Sequence, residues 1–146
     1  MVYIFVDIDG VLNTKAEWKR MYSLNAKCIK AFAKAVQACG EARIVLSSTW
    51  RNGFAYNREC LPHIKALQEE LKKYGLSIYG KTPMLPNGNR EDEIKEFIRI
   101  YEVNKYVIVD DDASLFTPEC EKLLIIDAKK GFTDKCGREI KRLLNS

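Results

Sequence analysis

The stretch IFVDIDGVLN, Ile4 to Asn13, places two acids one residue apart at the end of an apolar run, with glycine directly after them. Along extended backbone the side chains alternate, so Asp7 and Asp9 project to one side while Ile8 turns inward. Two neighbouring carboxylates cost free energy unless a cation or a proton lies between them. Gly10 permits the sharp turn that brings backbone close to a ligand. Two more apolar runs end in polar groups: Ala42–Leu46 in Ser47 and Ser48, and Tyr106–Val109 in Asp110, Asp111 and Asp112. Together these ends offer oxygen ligands with no histidine or thiolate among them. Such a set suits Mg²⁺, a hard ion that keeps several waters and shares a substrate phosphate oxygen. The chemistry indicated is the binding of a divalent cation together with a substrate phosphate.

These groups need elements that carry them to one place. Val2–Val6, Ala42–Leu46, Leu76–Tyr79, Tyr106–Val109 and Leu123–Ile126 read as five strands, nearly all apolar. Between them, Ile29, Phe32, Ala33 and Val36 recur at helical spacing and are closed by Gly40. Further helices carry Ile64, Leu67 and Leu71 (with Pro62 in the first turn and Gly75 at the end), then Ile94, Phe97, Ile98 and Tyr101, and finally Ile140, Leu143 and Leu144. Apolar strands alternating with helices predict an α/β fold, a mainly parallel five-stranded sheet with helices on both faces. In such sheets ligands bind at the carboxyl ends of the strands, where the polar groups lie. The expectation is one domain over residues 1–146.

Composition agrees with a folded globular chain: 47% hydrophobic and 30% charged residues, with a net charge of +4. No apolar run approaches the roughly 20 residues of a membrane span. Acids inside the first apolar run argue against a secretory signal. The five cysteines form no CxxC or zinc-like spacing, which suits reduced thiols and a cytoplasmic location.

The chain resembles the haloacid dehalogenase-like (HAD) phosphohydrolases over nearly its full length. IFVDIDGVLN resembles their first motif, ARIVLSS the second, the Arg90 region the third and YVIVDDD the fourth. It resembles more nearly the capless HAD domain associated with RNA-repair proteins, in which DIDGVLN, LSSxWR, TP…R..EI and DD recur. A looser similarity joins NREDEIKEFI and VDDD to the 3′-phosphatase domain of polynucleotide kinase–phosphatases. The resemblance implies a three-layer, Rossmann-like fold with little or no cap. It implies Asp7 as the nucleophile that forms an aspartyl-phosphate. Asp9 would be the general acid and base, a role suited by partial burial near negative charge. Ser47, with Ser48 as the rival, would hydrogen-bond a phosphoryl oxygen. Arg90 would neutralise transferring charge from the start of a helix capped by Asn89, with Lys95 as the alternative a turn further on. Mg²⁺ would be held by Asp7, the main-chain carbonyl of Asp9 and Asp111, supported by Asp110, with Asp112 a loop residue.

Neither Asn13–Arg43 nor Arg51–Arg90 is long enough for a sizeable cap domain, so the expected site is open. An open site suits a phosphate on a large molecule, with nucleotide or nucleic-acid ends the favoured substrate. A small-molecule phosphatase and a non-catalytic RNA- or phosphate-binding module are the alternatives. Lys15, Lys19 and Arg20 follow the first motif and could line the entrance, with Trp18 and Tyr22 available for base stacking. Arg51 is read as a ligand for a substrate backbone phosphate, Trp50 as core, and His63 as a helix-surface residue without a role. Lys130, in KKGFTDK, could approach the site. A monomer without membrane contact is expected.

Overall fold

The computed structural model describes residues 1–146. Its five strands are β1 (Val2–Val6), β2 (Ala42–Leu46), β3 (Ile78–Lys81), β4 (Tyr106–Asp110) and β5 (Leu123–Ile125). They form one sheet in the order β3-β2-β1-β4-β5, with every neighbouring pair parallel. The helices are α1 (Ala26–Ala38), α2 (Pro62–Lys72), α3 (Arg90–Ile100) and α4 (Asp134–Leu144). Alternation along β1 divides the core. Val2, Ile4 and Val6 pack with Ile29, Phe32, Leu67 and Ile140 of α1, α2 and α4, whereas Tyr3 and Phe5 pack with Ile94 and Phe97 of α3. Helices thus cover both faces, unequally: three on one and α3 alone on the other.

This strand order reverses direction at β1. The chain runs outward from β1 to β3, then crosses back beneath α3 to place β4 on the other side of β1. Ligand crevices in open α/β sheets form at such reversals. Ladder bonds continue into the crevice: Asp7 N–H donates to the Val109 carbonyl at 3.0 Å, and Ser47 N–H to the Val6 carbonyl at 3.2 Å. Because Val6 pairs with both Leu46 and Val109, Asp7, Ser47 and Asp110 follow as the next level across three adjacent strands.

The third strand begins two residues later than its apolar pattern predicts. Leu76 N–H donates to the Leu71 carbonyl at 3.1 Å, after Gly75 takes positive φ, so Leu76 finishes the α2 terminus. Its side chain packs on the core from there, and pairing starts at Ile78. Helix-cap closure and strand entry both call for an apolar residue, and period alone does not separate them. No helix is long and apolar enough to cross a membrane, and none of the five cysteines is paired.

Candidate active site

Asp7 and Asp110 are buried at the ends of β1 and β4, and Asp111 is half-buried just beyond β4. One carboxylate oxygen from each of the three lies within 4.8 Å of the others. Only Arg90 offsets this charge: its Nη1 donates to Asp110 Oδ2 at 2.8 Å and lies 3.4 Å from Asp7 Oδ1. Burial pushes the Asp7 carboxyl well above the ordinary range, and the nearby Asp110 and Asp111 add to the shift against the opposing pull of Arg90. Burial also raises Asp110, partly countered by Arg90. A divalent cation among these oxygens would relieve both groups, so the donor set fits a hard metal ion. Asp110 already accepts from Arg90 and, through Oδ1, from Asp112 N–H at 3.0 Å. The turn after β1 closes from Val11 and Leu12 onto the Ile8 carbonyl, which leaves the Asp9 carbonyl without a backbone partner. The acids that could hold a metal ion are therefore Asp7, Asp110 and Asp111, of which Asp110 is also held by Arg90 and the Asp112 N–H.

Ser47 has a buried Oγ with no hydrogen-bond partner. A buried hydroxyl without a partner is costly in a folded chain, and a phosphoryl oxygen in the crevice would satisfy it. Ser48 differs. Its Oγ accepts from Trp50 N–H at 3.1 Å and caps the short turn Thr49–Gly53, so its side chain serves the loop rather than a substrate.

Arg51 is engaged inside the fold rather than exposed at the crevice mouth. It is 5% exposed, its Nη1 donates to the carbonyls of Ser47 and Ser48 at 3.1 and 2.9 Å, and its Nη2 pairs with Glu93 at 2.9 Å. The arginine ties the end of β2 to the first turn of α3. That contact explains the acids beginning α3, which suit a helix N-terminus on sequence grounds alone. Glu93 also accepts from Leu85 N–H at 2.9 Å, while Glu91 accepts from Thr117 N–H at 2.7 Å and Oγ1 at 3.1 Å. These two buried glutamates seat the helix whose first residue is Arg90. Lys95 pairs with Glu91, two-thirds exposed on the outer side, and takes no part in the crevice.

Asp9 is exposed rather than half-buried, and its immediate partners are two neutral donors instead of other acids. Asn13 Nδ2 donates to its Oδ1 at 2.9 Å and Trp50 Nε1 to its Oδ2 at 3.3 Å. Asn13 is the site residue that the acid-and-strand-end argument passes over. It is 1% exposed, its Oδ1 accepts from Gly10 N–H at 2.8 Å and Trp18 Nε1 at 3.0 Å, and its amide also donates to the Ser23 carbonyl at 2.8 Å. Its signal was present: an amide four residues after an acid, within the same turn. Trp50 is buried like a core residue yet orients the acid with its indole N–H. His63 is half-buried and stacked on Tyr22, with ring centroids 4.0 Å apart and planes at 10°, so it is more than surface. Lys130 lies beside Lys27, Lys30 and Lys34 in a separate groove between α1 and the start of α4. Asp112 Oδ1 accepts from Ser114 N–H at 3.0 Å and caps the following turn.

The family profile described as the HAD domain in Swiss Army Knife RNA repair proteins matches residues 3–136. The chain belongs to this family. The matched span runs from β1 into α4 and contains every residue of the HAD crevice described above. The parallel five-stranded sheet is the Rossmann-like sheet of a HAD domain. A search of curated proteins finds no match.

Proposed function

We propose that this HAD domain hydrolyses phosphomonoesters with Mg²⁺ through an aspartyl-phosphate on Asp7. The observation that carries the reading is the convergence of Asp7, Asp110 and Asp111 beside Arg90 and the unpartnered Ser47 hydroxyl. Asp7, Asp111 and the Asp9 carbonyl, with Asp110 in support, would hold Mg²⁺, whose charge would offset the buried acids as a phosphate dianion approaches.

A carboxylate oxygen of Asp7 attacks phosphorus, and the ester P–O bond breaks. Asp9 delivers its proton to the departing oxygen, so an alcohol leaves. Water then attacks the phosphorus of the aspartyl-phosphate while Asp9 takes its proton, and the P–O bond to Asp7 breaks to release phosphate. Arg90 and Ser47 Oγ donate to the equatorial oxygens as their charge develops. Asn13 and Trp50 keep Asp9 pointed at the leaving group. No domain-sized insertion roofs this crevice, which supports a phosphate on a large molecule, and the family description supports RNA ends.

The test is a panel of 3′- and 5′-phosphorylated oligonucleotides, mononucleotides and sugar phosphates, with and without Mg²⁺. Phosphate release that requires Mg²⁺ and disappears in Asp7→Asn is expected. An Asp7→Asn variant as fast as the parent would end the nucleophile assignment.

A further inference from the structure

An acid that protonates a leaving oxygen must touch it, so the remainder of the leaving group lies on Asp9's side of phosphorus. On that side Asp9 opens into a cavity of about 570 Å³ whose walls include Trp18, Lys19, Arg20, Tyr22 and Trp50. Its size falls within the range of small-ligand pockets. The composition of its walls is unusual for a surface. Trp18 and Tyr22 remain 42% and 48% exposed, although large rings gain by burial. Neither ring is loose. Trp18 is tied through its indole N–H to Asn13. Tyr22 is stacked on His63 and lies edge-on to Trp50 at 5.2 Å between centroids. Tyr22 also holds a φ of 60°, a left-handed backbone that residues with bulky side chains seldom adopt. His63 stacks on the ring, and 48% of the residue still stays open to solvent. Asp9 is the only acid on the cavity wall, against two cations.

We infer that this cavity is the leaving-group subsite and that its occupant is a nucleotide at the end of a nucleic-acid strand. The terminal base stacks on Tyr22 and Trp18, and Lys19 and Arg20 meet the next phosphodiester. This assignment rests on the hydrolase reading of the Asp7 crevice and adds the residues that would hold the terminal nucleotide on the leaving-group side. Planar rings beside paired cations match a base joined to a phosphodiester. A sugar phosphate brings no plane, and a phosphorylated peptide brings no regular second anion. Stacking tolerates any base, so the subsite accepts strand ends without reading sequence.

The experiment compares short single-stranded RNAs carrying a 3′- or a 5′-phosphate with glycerol 2-phosphate, which has neither ring nor second anion. For the better RNA, the KM of the parent protein is expected at least about tenfold below that for glycerol 2-phosphate. Tyr22→Ala should raise the RNA KM roughly tenfold, the effect of losing one stacked base, with a much smaller change in kcat. Lys19→Ala with Arg20→Ala should raise the same KM and flatten its salt dependence. Equal KM values for RNA and glycerol 2-phosphate in the parent overturn the assignment, as does a Tyr22→Ala change that shifts both substrates alike. A second readout needs no turnover: quenching of Trp18 and Trp50 fluorescence by the same RNA with free hydroxyl ends. Saturable quenching that weakens about tenfold or more in Tyr22→Ala supports the subsite even if no phosphate is released, an outcome that would sink the hydrolase reading alone. Absence of quenching in the parent overturns the subsite even if glycerol 2-phosphate is hydrolysed.

Discussion

Gly10 and Asp111, from the first and fourth strand ends, touch so closely that a Cβ on Gly10 would lie 2.7 Å from Asp111 Cγ. Gly10 also has a φ of 82°, where a side chain is strained regardless of space. The glycine after the two acids therefore does more than turn the chain: its missing side chain is the room that Asp111 occupies. Gly10→Ala should push Asp111 away from Asp7 and weaken Mg²⁺ binding roughly 10–100-fold, the usual effect of disturbing a ligand's support. Strain of roughly 1–2 kcal/mol from the left-handed backbone should lower the melting temperature as well. Calorimetric Mg²⁺ titration of the variant checks this, and parent-like affinity would show that Asp111 is not a ligand.

Arg90 spans Asp110 and Asp7 from the first turn of α3. As the cation nearest the acids, it should bear the charge that builds on a transferring phosphoryl group. Arg90→Ala is expected to lower kcat by roughly 10²–10³. Lys95, paired with Glu91 on the outer surface, cannot stand in for it. Steady-state kinetics of Arg90→Ala and Lys95→Ala should separate them, with the lysine variant within about twofold of the parent. A large loss in Lys95→Ala with little in Arg90→Ala would reverse the assignment.

Asp7, Ser47 and Asp110 could be read from the chain because a parallel sheet brings its strand ends to one edge, and polar groups at apolar strand ends mark that edge. Arg90 was legible for a similar local reason, since Asn89 and the acids after it announce a helix start. Arg51 was not, because an arginine beside a motif looks the same whether it meets a substrate or a buried acid. Its partner Glu93 comes from another element and is brought near only by packing of α3. The Tyr22–His63 stack was hidden likewise, since neither residue's neighbours in sequence predict the other. Periodicity reports which face a residue shows; it does not report which distant residue fills that face.

The pair Arg51–Glu93 carries its own prediction. Side-chain exposures of 7% and 5% make it a buried ion pair, and removing one member leaves the other charged without its partner. Burial already lowers the Arg51 guanidinium, with Glu93 opposing that shift. Glu93→Ala should destabilise the fold by about 3–5 kcal/mol. Glu96→Ala, which breaks a solvent-screened surface pair with Arg99, should cost far less. Urea unfolding of both variants gives the comparison. Equal and small losses would mean that Arg51 is satisfied by the Ser47 and Ser48 carbonyls alone.

Metal-free stability should depend on pH in a direction set by Asp7. Burial, with Asp110 and Asp111 nearby, raises its carboxyl in the fold above the ordinary 3.8, so the unfolded chain ionises first as pH rises. A raised carboxyl favours folding fully below the unfolded value, and that contribution is lost as pH climbs through the folded one. Asp110, also raised by burial, acts with the same sign. Glu91 acts oppositely: burial pushes it up, but the Thr117 bonds and the Lys95 pair together outweigh that and hold it below 4.5, so its contribution is lost towards acid. In EDTA the melting temperature should therefore fall between mildly acid pH and pH 8. Asp7→Asn, which removes a buried charge, should flatten this fall and melt above the parent at pH 8. Mg²⁺ should raise the parent's melting temperature at that pH while leaving Asp7→Asn nearly unmoved. A parent insensitive to both pH and Mg²⁺ would mean that Asp7 carries no uncompensated charge in the fold, and the motive for a metal at the β1–β4 crevice would be gone.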